Sequence, residues 1–261
     1  MQKKNYLSRD EQTLYATLQR VDVITHDHIK ELFPEYSFQK INKLCHNLLV
    51  KGYLYPLKRG LYLINEIPSD HPIVKNPFHI ASSLHKGYLG FSSALRLYDL
   101  IDYESFTIFT ITRKKSSETT IGNYLFKTVS MGQKATGATF YKNTYVSTIE
   151  KTLFDCFYKP QYAGGYQEII KALEQMKKID WTQVLQYFTT FGSDALCQRT
   201  GYILDCMHDN HSVHVPKIVL DTFKKRIRNT TKLLPSGSPH GRYVKEWKLL
   251  DNQGQHILNA R

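Results

Sequence analysis

The stretch from Ser37 to Leu57 carries amide and cationic side chains but no carboxylate. Amide groups can pair with base edges in the DNA major groove, and lysine can contact guanine or phosphate. Two further cations follow at once and are suited to neutralising phosphates. This combination predicts a surface that binds double-stranded DNA. The candidate contact residues are Ser37, Gln39, Lys40, Lys43, His46, Asn47, Lys58 and Arg59.

The same residues also fit surfaces that bind no DNA. Gln39, Lys40 and Lys43 suit a helix face that is simply solvated, and His46 suits a helix surface without any contact. A domain of this kind can also dock another protein or bind RNA, and the sequence does not distinguish these uses. We favour DNA because of the order of the surrounding elements, which is described below.

A second constellation consists of Glu150, Lys151 and Asp155. Acidic groups beside a lysine can hold a metal ion and a water in nucleases. Local helix chemistry explains the same residues more simply. Glu150 completes a capping box that begins at Ser147, and Lys151 with Asp155 is an i,i+4 pair. We therefore predict a protein that is not an enzyme, and we keep a Mg²⁺-dependent nuclease as the alternative.

Motifs for several well-known chemistries are missing from the sequence. It contains no GxGxxG, no GxxxxGK[ST], no HExxH and no GxSxG. The four cysteines form no CxxC pair, and the eleven histidines complete no ligand set. We therefore expect no metal and no cofactor.

Three helices and a hairpin are predicted to position the DNA-binding residues. Ser8 with Glu11 forms a capping box for the first helix, Thr25 caps the second, and Ser37 caps the third, which ends at Gly52. Two apolar runs, separated by a basic tip, then predict a hairpin. These runs and the tip are Tyr53–Leu57, Leu61–Ile64 and Lys58-Arg59-Gly60. This order is typical of a winged helix-turn-helix, in which the third helix enters the major groove.

The phase of the third helix supports this assignment. At about 100° per residue, its apolar side chains fall on one face. Those side chains are Ile41, Leu44, Cys45 and Leu48. Gln39, Lys43 and His46 fall on the opposite face, with Lys40 and Asn47 beside them.

The remainder of the chain is predicted to form a larger mixed α/β domain with a helical C-terminal part. A proline-containing linker at 67–72 separates residues 1–66 from residues 73–261, which gives an α+β protein of two domains. The predicted helices are His79–Leu89, one capped by Ser92 or Ser93, one that opens with the capping box at Ser147 and ends before Pro160, and Gln167–Lys178, Trp181–Phe191, Asp194–Met207 and Pro216–Arg228. The predicted strands are Phe106–Thr112, Tyr124–Ser130 and Phe140–Val146, with a polar loop at Ser116–Thr120.

Charge and composition limit the function classes. The chain has 261 residues, with 35 basic and 23 acidic side chains and a formal charge of +12. A basic protein attracts polyanions. The densest basic run, Lys224–Arg228, suits nucleic acid, an acidic partner or plain solvation equally. No apolar stretch approaches the length of a membrane span and no secretory signal begins the chain, so we expect a cytoplasmic protein without membrane contact.

Several segments together resemble the AbiEi family. After the predicted winged helix come Gly90–Leu95, Val146–Asp155, Arg199–Leu204 and Trp247–Leu249, in the order that family shows. Family members usually have Glu-Arg-Thr-Leu-Leu-Asp where this chain has Glu150-Lys151-Thr152-Leu153-Phe154-Asp155. The lysine at 151 departs from that pattern and removes a bidentate guanidinium.

The resemblance implies a transcriptional regulator that is also the antitoxin of a type IV toxin–antitoxin system. It implies an N-terminal domain that represses its own operon by binding repeated operator sites on double-stranded DNA. It also implies a C-terminal domain that counters a nucleotidyltransferase-like toxin, by direct contact or without a stable complex. It assigns no mechanism to any residue of the second domain.

Overall fold

The computed structural model describes residues 6–253 and has a mixed α+β architecture, which confirms the predicted class. Among these residues it contains ten α-helices and three β-sheets. The helices are α1 (Arg9–Leu18), α2 (His26–Leu32), α3 (Phe38–Val50), α4 (Pro77–Leu84), α5 (Phe91–Leu97), α6 (Ile149–Tyr158), α7 (Tyr166–Gln175), α8 (Trp181–Phe191), α9 (Asp194–Asp209) and α10 (Lys217–Lys224). The strands are β1 (Val23–Thr25), β2 (Leu54–Lys58), β3 (Leu61–Ile64), β4 (Tyr88–Leu89), β5 (Thr107–Thr112), β6 (Ser117–Ile121), β7 (Tyr124–Ser130), β8 (Ala138–Tyr141), β9 (Thr144–Ser147), β10 (Thr231–Lys232), β11 (Arg242–Val244) and β12 (Leu249–Asp251).

The chain divides into two compact units. The first comprises the residues up to Leu89 together with Ser105–Gly132 and Asn143–Tyr145. The second comprises Gly90–Glu104, Gln133–Lys142 and the residues from Val146 onward. Both units are therefore assembled from separate stretches of the chain. No helix among residues 6–253 has both the length and the apolar character needed to cross a membrane.

The first three helices begin at the predicted caps. The Ser8 side chain accepts from the Glu11 backbone while the Glu11 carboxylate accepts from the Ser8 backbone, so the capping box is complete. The hydroxyls of Thr25 and Ser37 cap α2 and α3 by accepting from the backbone N–H groups of His28 and Lys40. Their apolar faces meet in one core. The members of that core are Leu14, Tyr15, Leu18, Ile24, Ile29, Phe33, Ile41, Leu44, Cys45, Leu48, Leu54 and Ile64.

The predicted hairpin is present as β2 and β3, which pair antiparallel. A short strand that was not predicted from the sequence, β1, pairs antiparallel with the other edge of β3, where Val23 lies opposite Leu63. The backbone N–H of His26, the first residue of α2, donates to the Gly60 carbonyl at the hairpin tip at 2.8 Å. The hairpin is thus joined to the N-terminal helices through both β1 and α2.

A single buried amide organises the segment that follows the hairpin. The Asn65 side chain is 0% exposed and donates to the Gly52 carbonyl at 3.0 Å and the Ser69 carbonyl at 3.3 Å. Its oxygen accepts from the backbone N–H of Ile73 at 3.1 Å. Gly52 adopts φ +78°, and a Cβ there would lie 2.8 Å from the Ser69 backbone, so only glycine suits this close approach. The predicted linker is therefore tied along its length to the base of the hairpin.

Two predictions for the rest of the first unit are wrong. The helix predicted at His79–Leu89 ends at Leu84, and Tyr88 and Leu89 form strand β4 beside β5. A Cβ at Gly87 would lie 2.2 Å from the Ile111 carbonyl, so the chain passes too close to β5 there to continue a helix. The polar loop predicted at Ser116–Thr120 is largely strand β6, antiparallel to β7. Its threonines favour a strand, and its polar side chains are accommodated at an exposed sheet edge.

The single strand predicted at Phe140–Val146 is two strands. β8 ends at Tyr141 and β9 begins at Thr144. Lys142 and Asn143 both adopt positive φ, at 44° and 61°, which reverses the chain in two residues. Asn143 was the available sign of this turn, because asparagine tolerates the left-handed conformation better than most residues.

The second unit contains the predicted helices around a large apolar core, which includes Phe154, Phe188, Phe223 and Trp247. Two caps differ from prediction: α5 begins after Gly90 rather than Ser92 or Ser93, and Thr148 rather than Ser147 caps α6. The last helix, predicted at Pro216–Arg228, ends at Lys224. The small sheet β10-β12-β11, which was not predicted from the sequence, closes the described part of the chain.

Candidate nucleic-acid interface

Helix α3 is anchored by its apolar side. Ile41, Leu44, Cys45 and Leu48 are all buried, as the predicted phase requires. The Ser37 hydroxyl accepts from the Lys40 backbone N–H at 3.2 Å and fixes the start of the helix. One face of α3 is thus held in the core, and the orientation of the opposite face follows from it.

That opposite face carries a stripe of exposed polar side chains, which we call the α3 stripe: Gln39, Asn42, Lys43 and His46. These residues are spaced i, i+3, i+4 and i+7, so they follow one line along the helix. The side chains of Gln39, Lys43 and His46 make no hydrogen bond or ion pair with any other residue in 6–253. They are therefore available to a ligand.

Asn42 is the member of this stripe that was not predicted from the sequence. Its Oδ1 lies 2.7 Å from Nε2 of His26, and the His26 ring packs edge-on against Phe38 at a centroid distance of 5.0 Å. The spacing from Gln39 and Lys43 was a sufficient sign that Asn42 shares their face. Its hydrogen bond depends on the packing of α2 against α3, which no local pattern shows.

The flank of α3 that faces α1 is different, because α1 supplies two carboxylates. Lys40 Nζ lies 2.8 Å from Asp10, and it also sits 3.8 Å from the centre of the Tyr36 ring. The Asn47 amide donates to Glu11 at 2.8 Å, and the Lys51 ammonium lies 2.6 Å from the same carboxylate. Two of the predicted contact residues, Lys40 and Asn47, therefore already hold partners within the protein.

These pairs shift the pKa values of both carboxyls. The hydrogen bond from Lys40 lowers the pKa of Asp10 below its usual value. Burial acts to raise the pKa of Glu11, but hydrogen bonds from Lys51, the Ser8 backbone and Asn47 outweigh it, so that pKa is lowered. Both groups are consequently ionised near neutral pH and cancel part of the positive charge on this flank.

The two cations of the hairpin also differ from each other. Lys58 Nζ donates to the carbonyls of Ser83 and Leu84 at 3.0 and 2.7 Å. Burial, reinforced by the nearby Lys86, lowers the Lys58 pKa. Arg59 at the tip is exposed and has no side-chain partner among the described residues. The tip thus offers one free guanidinium, while the ammonium of Lys58 fastens the hairpin to the end of α4.

The alternative site around Lys151 is closed to solvent. Lys151 and Asp155 form the predicted i,i+4 ion pair, yet both side chains are 0% exposed. Burial raises the pKa of Asp155 to about 7 against the opposing effect of Lys151, and it lowers the pKa of Lys151. Glu150 lies apart from this pair and accepts from the Asp180 backbone at 3.2 Å. Within residues 6–253 no three acidic, histidine or cysteine side chains are grouped to hold a metal ion.

The densest basic run, Lys224–Arg228, is largely paired inside the second unit. The Arg226 guanidinium binds Asp194 at 2.9 Å and donates to the carbonyls of Phe188 and Gly192 at 2.9 and 2.7 Å. Lys224 lies 3.2 Å from Asp205. Lys224 and Arg226 are therefore held within the unit, while the side chains of Lys225 and Arg228 are exposed.

None of the models of protein families matches the chain, and no match is found among curated proteins.

Proposed function

We propose that the N-terminal helices and hairpin form a winged helix-turn-helix that binds double-stranded DNA and represses transcription. In this proposal α3 lies in the major groove and the β2–β3 hairpin is the wing, with its tip on the phosphate backbone. The observation that supports it most is the α3 stripe. Its polar groups are exposed, are without carboxylate partners, and are held in line by a helix whose other face is buried.

Each exposed group has a matching function in this proposal. The free amide of Gln39 can pair with adenine, and Lys43 can donate to guanine or to a phosphate. His46 extends the same line toward the end of the helix, and Arg59 neutralises a phosphate beside the groove. The backbone N–H groups near Ser37 lie at a helix N-terminus, which favours a phosphate.

The remaining predicted contact residues receive supporting roles. Lys40 and Asn47 hold α3 against α1, and Lys58 holds the hairpin against α4. The loss of Asn47 or Lys58 is expected to weaken DNA binding through position rather than through a missing contact, whereas the loss of Lys40, whose charge Asp10 offsets, is expected to change it little. This division separates residues that touch DNA from residues that orient them.

The wider proposal is that this repressor is the antitoxin of a type IV toxin–antitoxin system. Its support is the resemblance of five ordered segments to the AbiEi family. The proposed partners are repeated operator sites and a nucleotidyltransferase-like toxin. Expression of such a toxin from a neighbouring gene should arrest growth, and co-expression of this chain should restore it; growth arrest that persists would contradict the antitoxin role.

The second part of the proposal is that the protein does not cut DNA. The Lys151–Asp155 pair is closed to water and substrate, which argues against the nuclease alternative. Incubation with Mg²⁺ and supercoiled plasmid is expected to leave the plasmid intact. Cleavage that Asp155→Asn abolishes, with folding retained, would establish the alternative instead.

The direct test of DNA binding uses fluorescence anisotropy with duplexes from the region upstream of the gene. Replacing Lys43 and Arg59 with alanine is expected to weaken binding about tenfold at low salt and to reduce the slope of log K against log salt by about 2. The matched control is Lys178→Ala with Lys225→Ala, which removes the same charge from exposed positions of the second unit. Equal losses in both double variants would reduce the interaction to general charge and overturn the assigned surface.

A further inference from the structure

The hydrogen bond between His26 and Asn42 has a consequence for base recognition, provided that α3 binds DNA as proposed above. Asn42 is exposed on the α3 stripe, and its Oδ1 lies 2.7 Å from His26 Nε2. An amide oxygen has only acceptor capacity, so the His26 nitrogen must be the donor in this arrangement. The Asn42 nitrogen has no partner within residues 6–253 and is left with two donor hydrogens.

His26 is itself fixed by independent contacts. Its ring packs against Phe38, and its backbone N–H donates to Gly60 at the hairpin tip. The Phe38 contact holds the ring beside α3, and the backbone hydrogen bond places the start of α2 at the hairpin tip. This constraint fixes the rotation of the Asn42 amide, with the oxygen toward α2 and the nitrogen directed elsewhere.

An asparagine amide that can rotate freely and one whose rotation is fixed favour different bases. A free amide pairs with adenine through both of its ends, accepting from N6 and donating to N7. An amide whose oxygen is turned toward a neighbouring ring can no longer aim both ends at one base. Its two remaining donors match guanine, which presents two adjacent acceptors, O6 and N7, at the major-groove edge.

We infer that Asn42 is a specificity-determining residue that selects guanine, and that His26 is a positioning residue that makes it do so. The arrangement leaves adenine to the unconstrained amide of Gln39. One helix thus presents two amides of similar chemistry with different base preferences. The difference arises from one ring on a neighbouring helix.

The test is selection from a pool of randomised DNA duplexes with the full-length protein, followed by sequencing of the bound fraction. The wild type should enrich a motif with guanine at the position that Asn42 contacts. Asn42→Ala should lose the preference at that single position by about five- to tenfold and keep the rest of the motif. His26→Ala should shift the same position toward adenine, and His26→Gln, which restores an amide donor, should return it to guanine.

Controls separate this inference from the proposed function. Lys30→Ala, an exposed change on α2, should leave the whole motif unaltered. A wild-type motif that survives Asn42→Ala in full would overturn the inference while DNA binding stands. A protein that binds duplexes but enriches no motif would overturn the inference alone, and one that binds no duplex would overturn both. Asn42→Ala remains informative if His26→Ala fails to fold.

Discussion

Two basic regions of the molecule differ in how far their cations are paired with carboxylates. The run Lys224–Arg228 is denser in charge, but Arg226 and Lys224 are held by Asp194 and Asp205. The α3 stripe and the hairpin tip carry fewer cations, yet Lys43 and Arg59 have no partner among the described residues. The charge that each region offers to a ligand therefore depends on pairing in the folded protein and not only on the density of cations along the chain.

The largest effect expected from this comparison concerns stability. Arg226→Met removes hydrogen bonds to two carbonyls and the ion pair with Asp194, and it should cost about 3 kcal/mol of unfolding free energy. Urea unfolding should show a lower midpoint with an unchanged slope. DNA affinity of the folded variant should stay within about twofold of wild type. A variant with normal stability but weaker DNA binding would reverse the roles of the two regions.

Pairing also stabilises the flank of α3 that faces α1, where we expect a smaller effect on stability. Because its folded-state pKa is lowered, Glu11 contributes stability that is fully present above its unfolded pKa and is lost as the pH falls through the folded value. Glu11→Gln should therefore cost about 1.5 kcal/mol at pH 7 and little in acid. Urea unfolding between pH 3 and pH 7 measures this difference. A gap that stays constant with pH would show that the charge of Glu11 does not matter.

The next prediction compares two lysines on one helix. Lys43→Met should weaken binding of operator DNA by about fivefold, because a free ammonium is lost. Lys40→Met should change it by less than about twofold, because Asp10 already neutralises that ammonium. Anisotropy titrations of the two variants at one salt concentration decide the matter. Equal losses would indicate that the Asp10 pair opens when DNA binds.

The smallest expected effect is a gain. Asp10→Asn removes the carboxylate that pairs with Lys40, so it should tighten DNA binding by about twofold and steepen the salt dependence. The same titration, repeated over a range of salt concentrations, measures both quantities. Weaker binding would show that Asp10 serves mainly to place Lys40 rather than to neutralise it.

Local patterns were sufficient for α3. The cap at Ser37 and the four buried apolar positions of the helix are as predicted, because capping and helical phase depend only on neighbouring residues. The pairing of its flanking groups was not predictable, because Glu11 lies 36 residues before Asn47 and 40 before Lys51. No carboxylate occurs between residues 37 and 57 of the sequence, but the carboxylates of Asp10 and Glu11 lie beside α3 in the folded protein.

The wrong predictions elsewhere also concern features that depend on contacts in the folded protein rather than on neighbouring residues. Tyr88 and Leu89 were assigned to a helix because their apolar character fits a buried helix or a buried strand equally, and only pairing with β5 decides between them. The polar sequence of β6 fits a loop as well as a strand, because an exposed edge strand needs no apolar face. The burial of Lys151 and Asp155 was hidden because an i,i+4 pair has the same spacing on a surface and in a core.

The Asn65 amide gives the N-terminal fragment a natural stopping point. A truncation after residue 66 would remove the contacts of this side chain with Ser69 and Ile73. A fragment extended past residue 84 keeps those contacts and also the bonds from Lys58 to the Ser83 and Leu84 carbonyls at the end of α4. Anyone who wishes to crystallise the DNA-binding portion alone should therefore clone the longer piece, which should also resist trypsin better.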